Sequence, residues 1–252
     1  MAQINPVVGD VAGNVGKIDA AVASAAGTHP DLVVFPEMCV VGYPPKDLVE
    51  RRAFLQQAAD ALKSIEALSA KHPDTGIVVG LPMASPGGGK GVVNAAVLVA
   101  GGKTIHRQVK SLLPTYDVFD EARYFDSADA IEPVDFKGDS IGISICEDAW
   151  NDPDLFGNRP YDIDPISILA QKGATIMVNI SASPYSVGKE AVRLELVRRH
   201  ATHHKMPFVM VNQVGGNDEL VFDGSSYCVD AGGRLVAALP MFEEAVAQVD
   251  TG

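Results

Sequence analysis

Apolar residues fall along this chain in short, dense runs separated by stretches with helical spacing. Asp31 to Phe35 (DLVVF), Gly76 to Leu81 (GIVVGL), Ile141 to Ile145 (IGISI), Thr175 to Ile180 (TIMVNI) and Pro207 to Asn212 (PFVMVN) are strand-sized and rich in Val and Ile. Runs of this kind predict strands buried on both faces, because a strand with one wet face would alternate. Between them Val15, Ile18 and Val22 recur at helical spacing, as do Phe54, Ala58, Leu62 and Ile65, and later Leu194, Val197 and Ala201. Each set places an apolar stripe on one side of a helix. Asp164-Pro165 predicts one more helix start, and Gly173 its end.

Two glycine pairs predict hairpins. Val92 to Val99 leads across Gly101-Gly102 into Thr104 to Val109, and Ser226 to Val229 leads across Gly232-Gly233 into Leu235 to Leu239. Strands alternating with helices, together with antiparallel hairpins, predict an α/β fold with mixed sheet. No repeat is present, and the low-complexity loop Ser85 to Gly91 (SPGGGKG) is too short to separate domains. Residues 1–252 read as one domain, and a 47% hydrophobic content supplies a sizeable core.

Composition narrows the partners. A net charge of −12 opposes binding to polyphosphate, so nucleic acid is not expected. The apolar runs are too short and too interrupted for a spanning helix or a secretory segment, which predicts no membrane association and a soluble, cytoplasmic protein. Cys39, Cys146 and Cys228 are odd in number, far apart and without CxxC spacing, which fits reduced thiols rather than disulfides or zinc.

Functional groups in open α/β folds gather where parallel strands end. Three apolar runs here end in polar clusters: DLVVF-Pro36-Glu37, IGISI-Cys146-Glu147-Asp148 and TIMVNI-Ser181-Ala182-Ser183. If those strands run side by side, Glu37, Cys146 and Ser183 face one pocket. Lys110, just after the run Thr104 to Val109, can reach it too. A carboxylate that takes a thiol proton, a thiolate that attacks a carbonyl and an amine that holds the oxyanion suffice for acyl transfer. Residue type alone leaves the plain alternatives open, since a free cysteine is often a small buried hydrophobe and a Glu or Lys at a strand end an ordinary charge.

Two weaker patterns carry less. His200 and His204 are four apart, with His203 beside them, but Ala201 stands where HExxH has its glutamate and no third ligand is evident, so no metal is expected. Gly87-Gly88-Gly89-Lys90 lacks the spacing and the following Ser or Thr of a phosphate loop, and reads as a flexible hairpin connection.

Taken together, Glu37 in VVFPE, Lys110 at the head of KSLLPTYDVFDEARYF and Cys146 in GISICEDAW resemble the three catalytic blocks of the nitrilase, or carbon-nitrogen hydrolase, superfamily. The resemblance runs from Ala2-Gln3-Ile4-Asn5-Pro6 to the region of Ala245. AQINPVVGDVAGN from Ala2, ICEDAWNDPD from Ile145 and NISASPYSVGK from Asn179 are most similar to the glutaminase domains of glutamine-dependent NAD(+) synthetases.

That resemblance implies a four-layer α/β/β/α sandwich with mixed sheets. It implies catalytic roles for Glu37, Lys110 and Cys146, with Glu121 helping to position the lysine and substrate, and with the backbone N–H of Glu147 joining Lys110 at the oxyanion. Glutamine contacts fall on Tyr116, Ser183, Lys189 and Glu147. The implied reaction hydrolyses L-glutamine to glutamate and ammonia through a thioester on Cys146, the ammonia serving NAD(+) synthesis from deamido-NAD(+). No cofactor or metal is expected in this domain. ATP and Mg belong to a C-terminal synthetase domain, expected in the parent protein and absent from this chain, and a homo-oligomer is expected. The alternative is a free-standing amidase acting on another small amide, and a third class is a non-catalytic scaffold. Glu147 and Asp148 beside Cys146 would raise its pKa, so both carboxylates are expected to turn from the sulfur into hydrogen bonds.

Overall fold

The computed structural model describes residues 1–85, 89–157 and 161–252. In chain order the elements are β1 (Ala2–Gln3), α1 (Val11–Ala25), β2 (Leu32–Val34), α2 (Arg52–Lys71), β3 (Gly76–Ala84), β4 (Val92–Ala100), β5 (Lys103–Val109), α3 (Glu121–Tyr124), β6 (Val134–Phe136) and β7 (Asp139–Ile145). There follow α4 (Pro153–Phe156), α5 (Pro165–Gln171), β8 (Ile176–Ser181), α6 (Lys189–His204), β9 (Phe208–Asn212), β10 (Val214–Asn217), β11 (Leu220–Asp223), β12 (Tyr227–Val229), β13 (Leu235–Ala238) and β14 (Ala245–Val246). Short 3-10 turns lie at Ala26–Thr28, Lys46–Glu50 and Cys146–Ala149.

The strands form two main sheets. One has the order β2-β3-β4-β5, with β2 parallel to β3 and the rest antiparallel. The other has the order β13-β12-β9-β8-β7-β6, with β7, β8 and β9 parallel at its centre. Their facing sides share one apolar cluster: Val34, Val78 and Leu98 from the first sheet meet Ile143, Ile145, Val178, Ile180, Val209 and Val211 from the second. The outer face of the first sheet, through Val33, Ile77, Val79 and Val97, packs on Ile18 and Val22 of α1 and on Phe54, Ala58 and Ile65 of α2. The outer face of the second, through Met177, Phe208 and Met210, packs on Ile166 and Leu169 of α5 and on Leu196, Val197 and Ala201 of α6. The result is the expected α/β/β/α sandwich. Successive strand residues point to opposite faces, so each apolar run feeds the inter-sheet core with one set of side chains and a helix layer with the other.

The local signals act as the sequence predicts. Asp164 caps α5 by accepting the Ser167 N–H at 3.0 Å, and Gly173 takes a left-handed φ of 92° just beyond it. Pairs of two to four residues, β1 with β14 and β10 with β11, carry no periodicity to read. Gly87 and Gly88 of the weak phosphate-loop pattern lie outside the described residues, while Lys90 donates to the Phe125 carbonyl at 3.0 Å. Among the described residues no helix is long and apolar enough to cross a membrane.

One close approach fixes the turn that carries Glu37. The Cys39 thiol sits against the Gly80 backbone, whose N–H donates to its sulfur at 3.4 Å, and the Val40 N–H donates to the Gly80 carbonyl at 3.2 Å. A Cβ at Gly80 would lie 2.4 Å from the Met38 nitrogen and 2.8 Å from the Glu37 Cα, both backbone atoms that cannot swing away. Gly80→Ala should therefore lower stability by about 1–3 kcal/mol, the usual penalty of overpacking, and displace Glu37. Urea unfolding with a parallel activity assay checks this, and a variant with wild-type midpoint and rate would contradict it.

Candidate active site

The polar residues come from the ends of strands in both sheets. Glu37 follows β2, and Lys110 follows β5, where its N–H donates to the Asn94 carbonyl at 2.8 Å. Cys146 follows β7, and Ala182 and Ser183 follow β8. Only β7 and β8 run side by side, so the sequence picture of adjacent strands holds for Cys146 and Ser183, whereas Glu37 and Lys110 reach the site from the opposite sheet.

Lys110 has no solvent exposure. Its Nζ lies 2.8 Å from Glu37 Oε1 and 2.7 Å from Glu121 Oε1. Glu37 also accepts from Asn94 Nδ2 at 2.6 Å and, through Oε2, from the Ala182 N–H at 3.0 Å, a bond that crosses between the sheets. Tyr43 donates its hydroxyl to Glu121 Oε1 at 2.8 Å. Burial works against the lysine's charge, but the Glu121 and Glu37 carboxylates outweigh it and hold its pKa well above the ordinary range. Burial pushes Glu121 up to about 7, against the pull of Lys110 and aided by the charge of Glu37. Glu121 Oε2 and Asn94 Oδ1 are buried acceptors without a partner among the described residues.

Cys146 opens the 3-10 turn Cys146–Ala149 with a φ of 45°, a left-handed conformation unusual for a residue with a side chain. The sharp turn swings the cysteine off the end of β7. In such a turn the first N–H groups, that of Glu147 among them, have no acceptor within the helix. Burial raises the thiol pKa, the Glu37 charge raises it further, and Lys110 opposes both. The resting group is thus a thiol.

Both neighbouring carboxylates are engaged in hydrogen bonds, as expected. Asp148 accepts backbone N–H groups from Ser111 at 2.9 Å, Leu112 at 2.8 Å and Ile145 at 3.0 Å. Glu147 accepts from the Tyr116 hydroxyl at 2.8 and 3.0 Å and from the Tyr161 hydroxyl at 2.9 Å. Lys189, the first residue of α6, sets its ammonium 5.4 Å from the centre of the Trp150 ring. Burial lowers its pKa, opposed by the negative charge of Glu147 and by that of Cys146 once ionised. Ser183 is buried, with its N–H donating to Asn212 Oδ1 at 2.8 Å and its carbonyl accepting from Arg193 at 3.3 Å.

Tyr43, Asn94 and Tyr161 join the site without a signal in one sequence, because an isolated Tyr or Asn near a strand or loop has no spacing that marks it. His200 instead holds the end of the Cys146–Ala149 turn. Its Nε2 lies 2.7 Å from the Ala149 carbonyl, and its ring stacks on Phe208. Among the described residues no group of three His, Cys, Asp or Glu is arranged to hold a metal ion.

Comparison with known proteins adds the relatives. The carbon-nitrogen hydrolase family pattern matches residues 1–251. A glutamine-dependent NAD(+) synthetase of Synechocystis sp. is 41% identical over 251 residues, covering 98% of this chain and 45% of that protein. One from Thermotoga maritima is 36% identical over 252 residues, covering 99% of this chain and 41% of that protein. The solved structure of a glutamine-dependent NAD+ synthetase from Acinetobacter baumannii matches with a TM-score of 0.85 at 30% identity, over 97% of this chain and 43% of that one. An amidase from Nesterenkonia sp. shares the fold, with a TM-score of 0.82 at 21% identity over 97% of this chain and 86% of that one. The chain therefore spans less than half the length of these synthetases.

The buried charge cluster has a measurable consequence. Replacing Lys110 by Met leaves two carboxylates buried without their cation, which should destabilise the fold by about 3–5 kcal/mol at pH 8. A Glu121 held at about 7, against an ordinary 4.5, binds its proton more tightly folded than unfolded. That contribution favours folding below pH 4.5 and is lost as pH rises through 7. Removing the lysine raises Glu121 further, so the deficit of Lys110→Met should shrink at pH 5. Chemical denaturation at the two pH values tests this, and an equal deficit at both would contradict it.

Proposed function

This chain belongs to the carbon-nitrogen hydrolase family, and on that premise we propose that it hydrolyses the side-chain amide of L-glutamine to glutamate and ammonia through a thioester on Cys146. The observation that carries the reading is the meeting of Glu37, Lys110 and Cys146 in one enclosed cluster drawn from two sheets. Glu37 takes the proton of Cys146, and the thiolate attacks the amide carbon. Lys110 and the Glu147 N–H stabilise the oxygen as it becomes negative. Glu37 returns the proton to the departing amine, which leaves as ammonia, and then activates a water that hydrolyses the thioester. Glu121 holds the lysine in place, and its partnerless Oε2 supplies an acceptor for the amide N–H groups.

Recognition of an amino-acid end is assigned to Tyr116, Glu147, Lys189 and Ser183. Among the described residues Glu147 accepts only from tyrosine hydroxyls, which suits it to a substrate ammonium, and the half-buried Lys189 suits a carboxylate. The relatives named as glutamine-dependent NAD(+) synthetases support glutamine as the donor. The reading extends to the ammonia's use: a synthetase domain in the parent protein, the one that needs ATP and Mg, converts deamido-NAD(+) to NAD(+). The carbon-nitrogen hydrolase domain, residues 1–252, needs no cofactor of its own, works in the cytoplasm and assembles as a homo-oligomer.

The test is release of glutamate and ammonia from L-glutamine, read beside a panel of small amides. Cys146→Ala should reduce release by roughly 10⁴-fold or more, as loss of a nucleophile does in other acyl-transfer enzymes. Activity restricted to a different amide would replace this reading with that of a free-standing amidase.

A further inference from the structure

Among the polar connections that tie the sheets together at the site, two engage backbone N–H groups. One is the bond from the Ala182 N–H to Glu37, which fixes the base. The other is Asp148. Its carboxylate is essentially buried, at 1% exposure, and both oxygens accept backbone hydrogen bonds. Oδ1 takes the N–H groups of Ser111 and Leu112, the two residues that follow Lys110, while Oδ2 takes the N–H of Ile145, the residue that precedes Cys146. One side chain thus grips the segment that carries the lysine and the turn that carries the nucleophile. Tyr116 adds a hydroxyl bond to Glu147, and the core between the sheets is apolar and holds distance without direction. No cation touches this carboxylate in an ion pair among the described residues; its three partners are all peptide groups. A buried carboxyl held by three peptide N–H groups is strongly oriented, because each lost acceptor leaves an N–H unsatisfied.

We infer that Asp148 is a positioning residue that sets the Lys110 ammonium against the carbonyl oxygen attacked by Cys146. It acts on stabilisation of the oxyanion, not on generation of the nucleophile. This rests on the acyl-transfer reading of the site, but not on the identity of the amide. Asn at this position has the same shape and only one acceptor oxygen. That oxygen can still serve Ser111 and Leu112, whereas the amide NH₂ would then face the Ile145 N–H, donor against donor. Asp148→Asn therefore cuts one end of the brace without changing its volume. Asp148→Glu keeps both acceptors and shifts them by one methylene.

Two reagents separate the roles. With 4-nitrophenyl acetate, a bond forms between the Cys146 sulfur and the acetyl carbon, 4-nitrophenolate leaves, and the thiol proton passes to Glu37. That path runs through an oxyanion. With iodoacetamide, the sulfur displaces iodide from carbon, the thiol proton again passes to Glu37, and no oxyanion forms. Both rates are measured on the whole chain, with Cys146→Ala as the blank and thermal unfolding of each variant as a check on folding. Acylation in Asp148→Asn and Asp148→Glu should fall by roughly 30-fold to 1000-fold, the range up to complete loss of one oxyanion donor, with alkylation within about threefold of wild type.

Acylation and alkylation falling by the same factor, or neither falling, would overturn the inference. Failure of both variants to fold would also overturn it, by making the brace a requirement of the fold. If only one folds, its ratio of rates decides. A wild-type chain that acylates at Cys146 yet ignores glutamine would remove the glutaminase reading and leave this test intact. A wild type with no Cys146-dependent acylation would remove both.

Discussion

An ammonium group enclosed between two carboxylates, with no exposure to water, is the constraint on which the rest of this site depends. Such a cluster persists only if every charge has close partners, because bulk water is absent to compensate a loose one. Lys110 meets that demand through Glu37 and Glu121, and these in turn are held by Asn94, the Ala182 N–H and Tyr43. The ends of β2, β5 and β8, the start of β4, the first residue of α3 and the loop between β2 and α2 that carries Tyr43 must converge for the set to close. The sandwich supplies that convergence by stacking two sheets so that their strand ends open on one side.

The chemistry follows from the same enclosure. Burial keeps Cys146 a thiol at rest, and the Glu37 charge adds to that effect. On the proposed mechanism, removal of the proton is coupled to attack on the substrate, with Glu37 already aligned by three hydrogen bonds. The positive φ at Cys146 stores backbone strain where the sulfur must leave the sheet. The other two cysteines have different roles: Cys39 packs on Gly80, and Cys228 belongs to the inter-sheet core.

Much of the fold is legible in the sequence because its strands are buried on both faces. Runs such as TIMVNI and PFVMVN have no competing interpretation at that length, and helices with a single apolar stripe fall between them. The sequence pattern does not say that β2 and β7 belong to different sheets, since pairing is a non-local choice that residue periodicity does not encode. The three central site residues are readable as polar groups at strand ends. Ser183 is readable in the same way, whereas Glu121, Tyr116 and Lys189 are readable only by resemblance to a family. Tyr43, Asn94 and Tyr161 are not readable at all, since each becomes part of the site through a tertiary contact with a carboxylate distant in sequence. The same applies to Asp148, whose position beside Cys146 is plain in the sequence while its grip on Ser111 and Leu112, 37 and 36 residues away, is not.

The central claim is covalent: acyl transfer passes through the Cys146 sulfur. The most direct measurement is acid quenching of the chain during turnover of L-glutamine, followed by proteolysis at low pH and mass spectrometry of the three cysteine-containing peptides. The account predicts a glutamyl group on the peptide bearing Cys146, absent from those bearing Cys39 and Cys228 and lost when the peptide is treated with hydroxylamine. Glutamate release with an unmodified Cys146 peptide under conditions that trap the acyl group of a known thioester enzyme would contradict it.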